Sequence, residues 1–63
     1  MKTAVFLADG YEEIEALTVV DLLRRVKITC DMISTGDEIE TCGSHAIKVK
    51  ADYLLSEINI DEY

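Results

Sequence analysis

The feature that most constrains the fold is a short apolar run followed, after a turn, by the acid-rich start of a predicted helix. Residues 3–8 are mostly apolar, with β-branched and aromatic side chains, which is typical of a strand buried on both faces. The turn Asp9-Gly10 follows, and residues 12–26 repeat apolar positions at helical spacing. Residues 27–34 then alternate like a second strand. Strand, helix and strand within roughly 30 residues have the size of one βαβ unit. We therefore predict two adjacent parallel strands with a right-handed crossover.

The chain changes character after the second predicted strand. Residues 39–41 and 46–50 are short β-like runs on either side of residues 42–45, which indicates a hairpin. Residues 51–58 suit one or two helical turns. Two strands covered by one helix leave a sheet face and a sheet edge bare. We therefore expect residues 1–63 to be the N-terminal segment of a single larger α/β domain, whose remainder follows residue 63.

Charge and cysteine content limit the classes of partner and the compartment. The chain has 13 acids against six Lys and Arg, a formal net charge of −7. Nucleic acids and anionic membranes attract basic patches, so neither is expected as a partner. No apolar run approaches the ~20 residues of a membrane span, and no signal peptide is visible. Two cysteines allow at most one disulfide. These features favour a reducing, cytoplasmic setting.

One carboxylate of the predicted helix occupies a position normally given to an apolar side chain. An α-helix turns by about 100° per residue, which places Glu15 between Val19 and Leu22. The helical wheel assigns both to the stripe expected to face the core, together with Ala16, Val20 and Leu23. Glu13 falls on the predicted solvent side. A buried charge costs several kcal/mol unless it is paired or protonated, so Glu15 is predicted to meet a buried polar group.

The two cysteines and the single histidine do not by themselves define a site. Cys30 lies within the second predicted strand, where a small buried hydrophobe is its ordinary role. Cys42 lies in the hairpin turn near His45, which leaves a reactive thiol or a metal contact open, but no second ligand pair accompanies them. Only Gly10 follows the first strand, so a Walker loop and a dinucleotide fingerprint are absent and no cofactor is expected. A receiver-like or flavodoxin-like binding module using Asp9 also stays open.

Three motifs occur in an order that resembles one known family. They are Val5-Phe-Leu-Ala-Asp-Gly-Tyr-Glu-Glu-Ile-Glu-Ala, Val20-Asp-Leu-Leu-Arg-Arg and Gly43-Ser-His-Ala-Ile-Lys-Val-Lys-Ala-Asp. In this order and spacing they resemble the N-terminal part of the ThiJ/PfpI superfamily, which includes the Parkinson-disease-associated protein deglycase. The resemblance runs essentially the whole length of the chain. It implies a flavodoxin-like (class I glutamine amidotransferase-like) parallel-sheet sandwich, represented here by its β-α-β unit, hairpin and short helix.

The resemblance also implies a catalytic role for Glu15. In the family, the third glutamate of this motif is protonated and hydrogen-bonds the sulfur of a reactive cysteine at a strand-to-helix elbow, which would lie beyond residue 63. The implied activity is cysteine-dependent chemistry on small carbonyl compounds or glycated adducts, of the glyoxalase or deglycase type. A non-catalytic redox sensor or chaperone of the same fold is the alternative. A purely structural Glu15, bound to backbone amides or a buried water, also stays open.

Further partners and pocket residues follow from the same resemblance. Family members are commonly homodimers through this region, and the complementary segment of the domain would be a second partner. Arg25 and His45 are candidates to hold a small anion, against the ordinary roles of a helix-terminal arginine and a solvated turn histidine. The family's helix carries a proline after the key glutamate and ends in alanine-glycine. Here Val19 and Val26-Lys27 stand at those places, so we expect a smooth helix with a tighter exit.

Overall fold

A computed structural model describes all 63 residues. The chain forms five strands, one α-helix and two short 3₁₀ helices. In chain order these are β1 (Lys2–Leu7), α1 (Glu13–Arg25), β2 (Thr29–Ser34), β3 (Glu40–Cys42), β4 (Lys48–Lys50), β5 (Tyr53–Leu54) and the 3₁₀ helices Leu55–Glu57 and Ile60–Glu62. No helix is both long and apolar enough to cross a membrane.

The predicted βαβ unit and hairpin are confirmed. β1 and β2 pair in parallel with Lys2 opposite Thr29 and Leu7 opposite Ser34, and α1 connects them. β3 and β4 form a separate antiparallel pair in which Thr41 lies opposite Val49. The sheet of parallel strands has the order β1-β2-β5, so β1 is an edge strand of this sheet.

The prediction of helical turns over residues 51–58 is wrong at its start, because β5 adds a third parallel strand there. A strand of only Tyr53–Leu54 is too short to produce a readable period. Asp52 fixes it instead: the Asp52 amide donates to the Met32 carbonyl at 2.8 Å, and its carboxylate accepts from the Met32 amide at 2.8 Å. Arg24 also donates to this carboxylate at 2.8 Å, which links β5 to α1.

Two backbone hydrogen bonds terminate α1 just after its last residue. The Ile28 amide donates to the Leu23 carbonyl at 3.0 Å, and the Lys27 amide to the Arg24 carbonyl at 3.1 Å. These two bonds form a Schellman motif, whose closing residue adopts left-handed backbone geometry. Lys27 takes that place with a φ of 65°. The tight exit therefore exists here without the glycine that normally supplies it.

The apolar core is small, with five apolar side chains buried among nine buried residues of 63: Leu7, Val20, Cys30, Ile33 and Ala51. The predicted core stripe of α1 is wrong in part, since Val19 and Leu22 are 46% and 56% exposed. The least exposed helix residues are instead Glu13, Ala16, Leu17, Val20 and Leu23. β1 is likewise not buried on both faces, because Phe6 is half exposed. The helix is apolar on two sides, and the wheel could not tell which side faces this sheet.

Candidate functional site: the carboxylates at the start of the helix

Glu13 is the buried carboxylate of the acid-rich motif, which corrects its predicted place on the solvent side. It is 6% exposed at the first turn of α1. Its Oε2 accepts from the backbone amide of His45 at 2.8 Å and from that of Ile47 at 3.5 Å. Its Oε1 lies 2.9 Å from Nδ1 of the His45 ring and accepts from Oγ of Ser44 at 3.4 Å. A buried charge is tolerated when it is paired and hydrogen-bonded, and Glu13 meets both conditions.

The residues that receive Glu13 form one loop, residues 43–47, which we call the docking turn. Gly43 lies directly against the carboxylate: a Cβ at this position would overlap Glu13, with Cγ only 2.6 Å away. The φ of Gly43 is not in the left-handed region, so a missing side chain and not backbone freedom is required here. The Ser44 amide also donates to the Tyr11 carbonyl at 2.8 Å. The docking turn is thus held to the chain immediately before α1 as well as to its first residue.

The electrostatics of the pair are set by this contact. Burial raises the pKa of Glu13, but hydrogen bonds from the His45 ring and from the backbone amides of Glu13, His45 and Ile47 outweigh it and lower the pKa from 4.5 to about 2. The hydrogen bond and charge of Glu13, with the charge of Glu12, raise the pKa of His45 above its ordinary 6.5 against a smaller opposing effect of burial. Glu13 is therefore a carboxylate at neutral pH, and the imidazolium form of His45 is favoured relative to that of a free histidine.

Ser44, His45 and Glu13 do not form a hydrolytic triad. The Ser44 Oγ lies 3.1 Å from Nδ1 of His45, which is the same nitrogen that faces Glu13. In a triad the imidazole takes the nucleophile's proton on one ring nitrogen while the acid binds the other. Here both contacts compete for one nitrogen, so this cluster lacks the geometry for acyl transfer.

Glu12, Glu13 and His45 are the residues whose ligand atoms come close enough for a metal ion, within 4.8 Å of one another. The Oε1 of Glu12 lies 4.0 Å from Nδ1 of His45. That nitrogen and Oε1 of Glu13, however, already bind each other at 2.9 Å, and Oε2 of Glu13 receives backbone amides. A metal would have to break the ion pair to gain two of its three ligands. The arrangement is that of an ion pair and not of a ligand set.

Glu15 lies on the other side of the helix. Its side chain is exposed and makes no hydrogen bond or ion pair with residues 1–63. Glu15 lies at helical spacing from the exposed residues Val19, Leu22 and Val26. We call these four residues the outer face of α1. The predicted neighbours of Glu15 are therefore correct, but within these residues that face is uncovered. Its predicted catalytic role stays a prediction.

The two predicted anion-pocket residues are not brought together. Arg25 is at the C-terminal end of α1 and pairs with Asp21 at 3.0 Å. His45 contacts the N-terminal end, and a helix of 13 residues spans roughly 20 Å. Within this chain Arg25 and His45 cannot bind the same small anion.

The remaining candidates have structural contacts. Cys30 is buried and Cys42 half-buried, and both are free thiols. The Cys42 amide donates to Oδ1 of Asp9 at 3.1 Å, and the Gly10 amide donates to the Cys42 carbonyl at 2.9 Å. Asp9 therefore fastens the first turn to β3. No local pattern pairs Glu13 with Gly43, because the two residues are 30 positions apart in the chain.

Comparisons with a family model, with curated proteins and with solved structures all match this chain to DJ-1 proteins. The model of the DJ-1/PfpI family matches residues 1–63. Protein DJ-1 homolog B of Arabidopsis thaliana is 37% identical over 57 residues, which cover 90% of this chain and 13% of that protein. A DJ-1 superfamily protein of Salmonella typhimurium, solved as a cysteine-to-alanine mutant, superposes with a TM-score of 0.86 at 39% identity, covering 89% of this chain and 30% of that one.

A second solved structure, oxidized DJ-1 of Toxoplasma gondii, has a TM-score of 0.85 at 38% identity and covers 87% of this chain and 30% of that one. The chain therefore spans less than a third of the length of each of these three relatives. Both superpositions cover most of residues 1–63, so the similarity in structure extends over nearly the whole of this chain.

Proposed function

This chain belongs to the DJ-1/PfpI family and has its flavodoxin-like fold, and on that premise we propose that it is the N-terminal part of a cysteine-dependent enzyme that acts on small carbonyl compounds or glycated adducts. The observation that carries the proposal is Glu15. It is the third glutamate of the family motif, it has no partner among residues 1–63, and it lies beside exposed apolar side chains. A segment of the domain that covers this face would enclose the Glu15 carboxyl group beside its apolar neighbours.

The proposed chemistry needs a thiolate and a proton donor. A cysteine thiolate outside residues 1–63 attacks the carbonyl carbon, so that an S–C bond forms as the C=O π bond breaks. The proton of the Glu15 carboxyl group passes to the resulting alkoxide oxygen, which gives a neutral hemithioacetal. Glu15, now a carboxylate, removes the C–H proton of the hemithioacetal carbon to give an enediol, and a proton returned to the neighbouring carbon gives a thioester. Water then hydrolyses the thioester to the hydroxy acid and frees the thiol. No residue of this chain replaces the cysteine, because Cys30 is buried in the sheet and Cys42 is hydrogen-bonded in the hairpin.

The test is methylglyoxal turnover by the protein as the cell produces it and by Glu15→Gln. We expect a loss of about 10²-fold or more in kcat, the usual contribution of a general acid–base. Glu38→Gln is the matched control, since Glu38 is an exposed acid outside the helix. Equal rates for Glu15→Gln and the unsubstituted protein would remove Glu15 from the mechanism.

The alternative is a redox sensor or chaperone of the same fold. One relative favours keeping it, because it was solved in an oxidized form. In this case peroxide oxidises the cysteine to the sulfinic acid and is itself reduced to water. Mass spectrometry after peroxide treatment separates the two proposals. Sulfinate that requires Glu15, in a protein without methylglyoxal turnover, would favour the sensor.

The proposed partners follow from the uncovered surfaces. A complementary segment of the same domain would pack on the outer face of α1 and on the exposed side of β1, where Phe6, Val19 and Leu22 lack cover. A second copy of the protein and a small carbonyl substrate are the other partners we propose. A cytoplasmic location agrees with two free thiols and stays a proposal.

A further inference from the structure

We propose that Glu13 is a positioning residue: its carboxylate locks the docking turn onto the start of α1, fixes the orientation of His45, and turns Glu15 to the outer face. The three functions come from one contact. They concern the second glutamate of the motif and not the third, to which the proposed chemistry assigns the proton transfer.

The N-terminus of α1 lacks a local side-chain cap. Glu12 occupies the N-cap position, and its side chain accepts no cap hydrogen bond. Helix starts normally rely on such a bond to satisfy free amides. Here the start is held from a distance, because Tyr11 accepts from the Ser44 amide and Glu13 accepts from the amides of His45 and Ile47. The position of the first turn therefore depends on the docking turn.

The rotation of α1 about its axis is fixed by the Glu13 contact. Residues two apart on an α-helix point about 200° apart, so Glu13 and Glu15 lie on nearly opposite sides. Glu13 is 6% exposed while Glu15 is exposed. Once Glu13 is fixed against Gly43 and His45, the helix cannot rotate about its axis without leaving a buried carboxylate unpaired. The Glu13 contact thus sets the direction of Glu15.

The orientation of the His45 ring depends on the groups that face it. The charged groups that face its ring are Glu13, at 2.9 Å from Nδ1, and Glu12, at 4.0 Å. The hydrogen bond to Glu13 assigns Nδ1 to the carboxylate and leaves Nε2 directed away from it. The side chain is 67% exposed, so its orientation comes from the contacts at Nδ1, which are Glu13 and, at 3.1 Å, the Ser44 Oγ, and not from packing. The raised pKa of His45 agrees with this geometry.

A double-mutant cycle tests the contact itself. Gly43→Ala places a Cβ against Glu13 without demanding an unusual φ, so we expect a lower thermal midpoint in the protein as the cell produces it. In a Glu13→Ala background the added Cβ has room, so the same substitution should cause little further change. Equal decreases in both backgrounds would show that Gly43 and Glu13 act independently, which would overturn the proposal.

The orientation of His45 is tested by NMR titration, which does not require activity. His45 is the only histidine of these residues, and His45→Gln identifies its resonance. We expect a midpoint above 6.5 that moves down in Glu13→Gln, a variant that keeps the size of the side chain. Glu12→Gln should cause a smaller downward shift, since Glu12 is farther away. An unchanged midpoint in Glu13→Gln would contradict the positioning role.

Only the link to Glu15 rests on the proposed function. If Glu13 turns Glu15 to the outer face, Glu13→Gln lowers kcat for methylglyoxal while the Glu15 carboxyl group is still present. A normal kcat in Glu13→Gln, in a protein where Glu15→Gln is impaired, would overturn that link. If the protein shows no carbonyl turnover at all, the proposed function fails, and the cycle and the titration still decide the role of Glu13.

Discussion

The two sides of α1 differ in what holds their side chains. The inner side, with Glu13 and Val20, is buried against the docking turn and the sheet, and its carboxylate has four hydrogen-bond partners. The outer face has the same composition, a glutamate followed by apolar residues, but Glu15 and Val19 have no cover. Composition alone therefore does not decide which side of a helix is buried. A distant turn decides it here, through one carboxylate and one glycine.

The largest effect expected from this comparison is on the inner side. Val20→Ala removes a side chain that is 5% exposed, so we expect the free energy of unfolding to fall by about 1–3 kcal/mol. The adjacent Val19→Ala makes the same chemical change on the outer face, where the side chain is 46% exposed. Chemical denaturation of both variants measures how much free energy of unfolding each substitution removes.

The Val19 result in the protein as the cell produces it tests whether the outer face is covered there. Our proposal of a complementary segment predicts a loss of the same order as that for Val20→Ala. A loss within about 0.5 kcal/mol, the usual range for surface substitutions, would contradict the proposed cover.

The inner carboxylate should also give the molecule a specific dependence on pH. The folded pKa of Glu13, about 2, is below its ordinary 4.5, so its contribution to stability is complete above 4.5 and is lost as the pH falls towards 2. The folded pKa of His45 is above 6.5, so its contribution is complete below 6.5 and is lost as the pH rises through the raised value. Both contributions are complete only between about pH 4.5 and 6.5.

Thermal midpoints recorded across pH test this window. The unsubstituted protein should lose stability above the window relative to its midpoint inside it, and His45→Gln should lack that part of the decrease. Glu38→Gln is the control and should keep the profile, because Glu38 is exposed and does not contact His45. The same decrease above pH 6.5 in His45→Gln would assign it to other groups.

The parts of this fold that the sequence predicts are the local ones. The βαβ unit follows from the run at residues 3–8 and the helical period of residues 12–26, and the hairpin follows from short β-like runs around Gly43. The contacts that fix the helix rotation are non-local. Glu13 and Glu15 have similar neighbours in the sequence. Glu13 is the buried one because Gly43, which has no side chain, packs against it. A helical wheel contains no information about this contact with a distant residue.

Family resemblance and helix geometry also differ in what they predict about the site. The motif singled out Glu15, and its proposed role depends on a cysteine outside residues 1–63. Geometry singles out Glu13, whose partners are all present. The pocket predicted from Arg25 and His45 does not form within one chain, since the two residues contact opposite ends of α1.

The smallest effects are expected at two residues with left-handed backbone geometry, one in the docking turn and one at the far end of the helix. Ala46 has a φ of 62° and Lys27 a φ of 65°. This geometry costs a residue with a Cβ about 1–2 kcal/mol, and a glycine escapes that cost but loses about 0.5–1 kcal/mol of chain entropy. Ala46→Gly and Lys27→Gly should therefore each stabilise the fold by about 0.5–1 kcal/mol.

Lys27→Gly is the reference for Ala46→Gly, because it relieves the same backbone strain without touching the inner side of α1. Thr18→Gly, at an exposed position in the interior of the helix, should instead destabilise the fold, which shows that glycine is not stabilising in general. Denaturation midpoints give all three values. Equal gains at the two left-handed positions mean that the docking turn is held by Glu13 and its amide donors, independently of the Ala46 side chain. A loss in Ala46→Gly would mean that the turn needs the stiffness of Ala46 to present its amides to Glu13, and the inner contact would then depend on both partners.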